Sequence, residues 1–179
     1  MKEISRIRSI GGNRMEIERP HDNHRRFLKG FSPEEYKLGA YFPEKLILLA
    51  KSEPTSFQWL RSTEYGSVVF LMSAHCSACH MGPIQEFVEN FRAFNYCVLF
   101  EGSDEVVEMQ REVYDIDIPF YISDPIKLQN QLHVGVMPFA LVLNKIGQVV
   151  GAGVFNDYEK LKRLANPLIQ VYENSLIKQ

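Results

Sequence analysis

Apolar and polar positions follow no clear period over the first three dozen residues and then fall into strongly patterned runs. Lys45–Leu49, a short apolar run behind Pro43, predicts a strand. Pro54-Thr55-Ser56 then opens a brief helix over Phe57–Arg61, with Ser56 or Thr55 as its cap and Trp59 packing it onto a sheet. Ser67–Met72 is apolar and β-branched, as a strand buried on both faces should be. From Cys76 onward Met81, Ile84, Phe87, Val88, Phe91 and Phe94 recur at helical spacing. Pro83 falls inside that helix and should kink it.

Asn95–Phe100 reads as the next strand, and Asp104 as the cap of an amphipathic helix through Tyr114. That helix should turn Val106, Val107, Met109, Val113 and Tyr114 inward. Phe120–Ile122 is a short strand, and Asp124-Pro125 starts a helix running through Leu128 and Leu132. Phe139–Leu143 and Gln148–Val154, joined by a turn at Asn144 to Gly147, form a hairpin whose Gly151 and Gly153 allow a bend. Asn156 or Asp157 caps a last helix with Leu161, Leu164, Leu168, Ile169 and Tyr172 facing the core, bent at Pro167. Strands alternating with helices and finished by a hairpin and a helix predict an α/β fold, a central mixed sheet with helices on both faces.

Charge divides the chain. Residues 1–30 hold eight Lys/Arg against four Asp/Glu, although the whole chain of 179 residues has a formal net charge of −2. Residues 1–38 are accordingly expected to be a basic, loosely ordered arm and 39–179 the folded domain. The balance gives no sign of a nucleic-acid partner. No apolar run has signal-peptide or membrane-span length, so the cytoplasm is the expected address; a tethered, extracytoplasmic one would follow if a leader had been removed. Membrane association would then rest on that leader or on the basic arm.

Chemistry concentrates where the buried strand ends. Ser67 to Pro83 reads SVVFLMSAHCSACHMGP, so Cys76 and Cys79 stand three positions apart just after the strand. A strand running into a turn that opens a helix with C-x-x-C is the layout of a dithiol/disulfide site. At the start of a helix, unpaired N–H groups and the positive end of the dipole would stabilise a Cys76 thiolate. Three cysteines in the chain cannot build a disulfide scaffold. CSACH also spells C-x-x-C-H, the haem attachment pattern, but that requires a haem crevice and usually an axial Met. A structural zinc site needs four ligands, and Cys76, Cys79 and His80 supply three. No metal and no bound cofactor are therefore expected. His75 and His80 flank the pair, and either, if cationic, would favour the thiolate. Cys97, in mid-strand, reads as a small core residue.

The strand into CSAC, the Met137-Pro138 dipeptide opening a late strand, and the closing hairpin and helix together resemble the thioredoxin superfamily. The spacing from Cys79 to Pro138 and the early strand make the chain look like the TlpA/ResA-like branch, with a further likeness to the accessory protein of methylamine dehydrogenase maturation. The resemblance implies a thioredoxin fold with an extra N-terminal strand and an inserted βα unit, placed within Asn95–Tyr114. It implies thiol-disulfide oxidoreductase activity on protein cysteines, with an upstream electron donor or acceptor as a second partner. Cys76 would be the nucleophile and Cys79 the resolving thiol. Met137, a cis Pro138 and His75 would shape the substrate groove, and Ser77, Ala78 and His80 would tune the couple. A redox-inactive module that binds or matures a client is the competing reading. The chain departs from the family at three places. Val69 to Met72 contains no carboxylate, His75 stands where many relatives have an aromatic residue, and Pro83 comes one position early.

Overall fold

The computed structural model describes residues 38–177; the predicted basic arm, apart from Leu38, lies outside them. Seven strands occur there in chain order: β1 Lys45–Leu46, β2 Thr55–Ser56, β3 Gly66–Ser73, β4 Asn95–Glu101, β5 Phe120–Ile122, β6 Phe139–Asn144 and β7 Val149–Val154. The helices are α1 Gly82–Asn90, α2 Asp104–Tyr114, α3 Pro125–Leu132 and α4 Tyr158–Leu176, with a 3-10 turn at Gln58–Arg61. Strands β5-β4-β3-β6-β7 form one mixed sheet, and β1 and β2 pair in a separate ribbon.

Strand β3 is the centre of this arrangement. It runs parallel to β4 and antiparallel to β6, and all eight of its residues are buried. With neighbours on both edges and covered faces, its β-branched and aromatic run needs no polar alternation. Successive side chains go to opposite faces. Val68, Phe70 and Met72 pack with α1 and α4 in one core that includes Ile84, Phe87, Leu161 and Leu168. Val69 and Leu71 join a second core made by Leu128 and Leu132 of α3 and by Phe42, Leu46, Phe57 and Leu60.

The N-terminal segment therefore works differently from the expectation. Only Lys45–Leu46 of the predicted strand pairs, and it pairs with Thr55–Ser56, which was expected to open a helix. Neither Ser56 nor Thr55 caps the following turn; its cap position is Phe57. The segment serves the fold through burial, as Phe42, Leu46, Leu48, Phe57 and Leu60 cover one face of the sheet. Trp59 is half-buried against that core, and its carbonyl accepts a hydrogen bond from Asn95 Nδ2 at 3.2 Å.

Helix α2 also differs. Ser103, not Asp104, is its cap residue, and Val107 is its one buried side chain, while Met109 and Val113 are exposed. Val106 and Tyr114 are half-buried against the same core, as expected. Helix α3 begins as expected, with Asp124 Oδ1 accepting from the N–H groups of Ile126 (2.8 Å) and Lys127 (3.3 Å). Asp157 caps α4 by accepting from Lys160 N–H at 2.7 Å, and Pro167 lies inside that helix. The β6–β7 pairing shifts register between Val142 and Leu143, beside Gly151 of the last strand. Among the described residues no helix is long and apolar enough to cross a membrane.

Candidate functional site

The cysteines hang from the C-terminal end of β3, and they do not lie in a helix. Cys76 to Met81 form turns, and α1 starts only at Gly82. Pro83 explains the difference. It has no N–H to donate, so it is accommodated in the first turn of a helix, where none is needed, and further in it would cost a backbone hydrogen bond and a clash with the preceding turn. Pro83 is thus at the beginning of α1, and no mid-helix kink arises. The expected stabilisation of Cys76 by a helix N-terminus is corrected accordingly.

Hydrogen bonds fold the motif back on itself. The Cys76 N–H reaches the Ser73 carbonyl at 3.3 Å and the Cys79 N–H reaches the Cys76 carbonyl at 3.0 Å. His80 N–H donates to the Ala78 carbonyl at 3.2 Å. Ser77, Ala78 and His80 are exposed around this turn, while Cys76 and Cys79 are half-buried. Both thiols are free, and Cys76 is close enough to act on the Cys79 thiol. The Cys76 Sγ also lies 3.4 Å from the Met137 carbonyl oxygen, and the Met137-Pro138 peptide is cis. The two cysteines and the late proline segment are therefore brought together across the sheet end.

The thiols do not share one environment. Burial, and then the hydrogen bond with Cys76, push the Cys79 thiol up to about 12. The negative charge of Glu101 adds to the rise, and a backbone hydrogen bond with Ser73 opposes it. Cys97 is fully buried in β4, and burial pushes its thiol up as well. It lies in the core beside Val69 and Leu99, away from the turn that carries the pair.

A groove of about 360 Å³ runs past Cys76, with His75 and Met137 on its walls. Helix α3 contributes Pro125, Ile126 and Gln129. Two further groove residues, Ser73 and Glu101, were not anticipated. The Ser73 hydroxyl donates to Glu101 Oε2 at 2.6 Å and accepts from the His75 N–H at 3.0 Å. Their proximity follows from the parallel register of β3 and β4, which sets Ser73 opposite Glu101. Aligning the ends of the two predicted strands would have found the pair. A larger hollow, about 480 Å³, opens at the other end of β4 by Trp59, Arg92 and Asp117, and holds none of the predicted site residues. Among the described residues no three His, Cys, Asp or Glu side chains converge at metal-binding spacing.

No protein-family model and no curated protein sequence matches the chain. Solved structures do. A thiol:disulfide interchange protein from Bacteroides sp. superposes with a TM-score of 0.53 at 16% identity, covering 73% of this chain and 91% of its own. A DsbF homologue from Corynebacterium diphtheriae gives 0.54 at 18% identity, covering 74% and 90%. The thioredoxin domain of a thiol-disulfide oxidoreductase from Bacteroides vulgatus gives 0.51 at 14% identity, covering 74% and 98%. At such identities the likeness concerns the fold: the chain has the thioredoxin-like α/β architecture of these solved structures.

Proposed function

We propose that the chain is a thiol-disulfide oxidoreductase of the TlpA/ResA-like kind, acting on cysteines of other proteins. The observation that carries this reading is the contact between the Cys76 and Cys79 thiols beside an open groove. Cys76 attacks a client disulfide, forming a Cys76–client bond and releasing one client thiolate, which takes a proton. Cys79 then attacks the Cys76 sulfur, forming the Cys76–Cys79 disulfide and releasing the second client thiolate. Two electrons pass from the protein dithiol to the client disulfide, and the reverse sequence oxidises a client dithiol. Cys79, held as a thiol at neutral pH by its raised pKa, must lose its proton before it can attack, so it does not open the exchange. Met137 and His75, on the groove walls, are the client-contacting residues of this reading, and Ser77, Ala78 and His80 tune the couple.

Two measurements test it. Free-thiol titration with and without reductant should show Cys76 and Cys79 cycling together, and a pair that never cycles would leave only a client-binding module. Cys79→Ser should trap a disulfide-linked client on Cys76 in the native host, and complete absence of adducts argues against protein substrates.

A further inference from the structure

Among the described residues, the groove beside Cys76 is lined by one carboxylate, that of Glu101, and by no Lys or Arg. We propose that Glu101 selects clients whose reacting cysteine is flanked by a basic residue. This inference rests on the thiol-disulfide reading above and adds the substrate class to it.

Three observations support the assignment. First, Glu101 is tied down twice. Its backbone carbonyl accepts from the Ala74 N–H at 2.8 Å, and its Oε2 accepts from the Ser73 hydroxyl at 2.6 Å. Both ties run to the residues that lead into the cysteine turn, so the carboxylate is fixed relative to the strand end that carries Cys76. Gly102 adds to this: a Cβ there would strike the Phe100 ring and lie 3.3 Å from Ala74 Cβ, so the chain after Glu101 is packed on the same turn. Second, the charge is unspent. The Ser73 hydroxyl engages one oxygen, and Glu101 joins no ion pair among the described residues. A glutamine oxygen could accept the same hydrogen bond, so the tie does not explain the charge. Third, the surroundings carry one sign. Gly102-Ser103-Asp104-Glu105 follows Glu101 and adds two exposed carboxylates, while α3 and the segment before β6 give the groove no charged side chain. His75 is the other titratable wall residue beside Cys76, and its N–H donates to Ser73.

The chemistry gives this charge a use. Cys76 attacks as a thiolate, and a carboxylate facing the same groove opposes a second negative charge. A Lys or Arg next to the client cysteine pairs with Glu101 as the disulfide docks, which relieves the repulsion when such a client is present. An Asp or Glu in that position adds to it. Selection is thus built from one attraction and one repulsion. Glu101 is a specificity residue in this scheme, and the bonds made and broken are those already given for Cys76 and Cys79.

The test uses the reduced full chain and three blocked peptides, acetyl-Ala-X-Cys-X-Ala-amide with X as Lys, Ala or Glu, each joined through its cysteine to 4-thiopyridine. Cys76 forms a disulfide with the peptide sulfur, the peptide–pyridyl S–S bond breaks, and its electron pair leaves on the pyridyl sulfur, which takes a proton as the coloured thione. Each second-order rate is divided by that of the same peptide with 2-mercaptoethanol, which removes the peptide's own reactivity. The corrected Lys-to-Glu ratio should be about tenfold at about 20 mM ionic strength and about twofold at about 500 mM, because salt screens a partly exposed pair. In Glu101→Gln, which keeps an acceptor for Ser73, the ratio should already be about twofold at low salt. Glu101→Asp should keep the order Lys, Ala, Glu. Ratios are compared within one protein, so a variant that is slower overall still reports, and the salt series needs no variant at all. A parent ratio near one, a ratio indifferent to salt, or a ratio unchanged in Glu101→Gln overturns the proposal while leaving the function intact. A parent protein that releases no thione from any of the peptides overturns the function, and this inference with it.

Discussion

The Sγ of Cys76 lies 3.4 Å from the carbonyl oxygen of Met137, sixty-one positions further along the chain. The contact is made by backbone, so the side chain of Met137 is free to serve another purpose on the groove wall. Met137→Ala should leave the rate of Cys76 with a small aromatic disulfide within about twofold. The KM for a protein or peptide client should rise several-fold at similar kcat, because lost apolar contact is uniform binding. Equal losses with small and large disulfides would mean that the side chain acts on the sulfur itself.

The two cysteines are coupled, and the coupling has a sign. Cys76 raises the Cys79 thiol through its hydrogen bond and its charge, in addition to the larger effect of burial. Cys76→Ala removes the first two causes and keeps the burial and Glu101. Cys79 in that variant should titrate below about 12 but still above the ordinary 9.0. The pH dependence of its alkylation by iodoacetamide, followed by mass spectrometry, measures this. An unchanged midpoint would show that the thiols do not interact.

Alkaline stability should bear the mark of Cys97. Its thiol is raised by burial from an ordinary 9.0, so above pH 9 the unfolded chain releases this proton while the folded one retains it. Stability is therefore complete below about pH 9 and falls above it, by about 1.4 kcal/mol per pH unit from this group. Buried Tyr96, raised from 10.0, adds a second decline beginning about one unit higher. Urea unfolding in reductant at pH 8, 9 and 10 should show Cys97→Ala with the shallower slope. Parallel slopes for the two proteins would remove Cys97 as the cause.

Two glycines of β7 should respond unequally to alanine. A Cβ at Gly151 would collide with the Leu164 carbonyl oxygen of α4, a backbone atom, and lie 3.3 Å from Val142 Cβ. At Gly153 the nearest atom is the end of the Leu164 side chain, 3.0 Å away, which can turn aside. Gly151→Ala should cost about 2–3 kcal/mol and Gly153→Ala less than about 1, read from urea midpoints. Similar costs would mean that α4 is not seated on β7 through Gly151.

These contrasts indicate what a linear reading can reach. Strands β3 and β4, the β6–β7 hairpin and the Asp124 cap of α3 are signalled by neighbouring residues, and each is found where its pattern places it. So is the approach of Met137-Pro138 to Cys76, through the resemblance that the cysteine spacing suggested. The start of α1 was missed because the period set by Ile84, Phe87 and Phe91 can be extended backward indefinitely, whereas the stop is imposed by Pro83 alone. The N-terminal ribbon was missed because two-residue strands have no period to detect. The Ser73–Glu101 pair depends on how far one strand slides along another, and no single stretch of sequence contains that information.

The burial of β3 has a dynamic consequence for the turn that follows it. Backbone amides of Val68 to Met72 lie between two paired strands and under two cores, so they should exchange with deuterium only when the whole domain opens. Within a few residues, at exposed Ser77 and Ala78, no helix and no sheet protects the chain. The slowest and fastest amides of this region thus stand almost side by side. Closing or opening a Cys76–Cys79 bond can therefore reshape the turn while its anchor, and with it the rest of the domain, stays still.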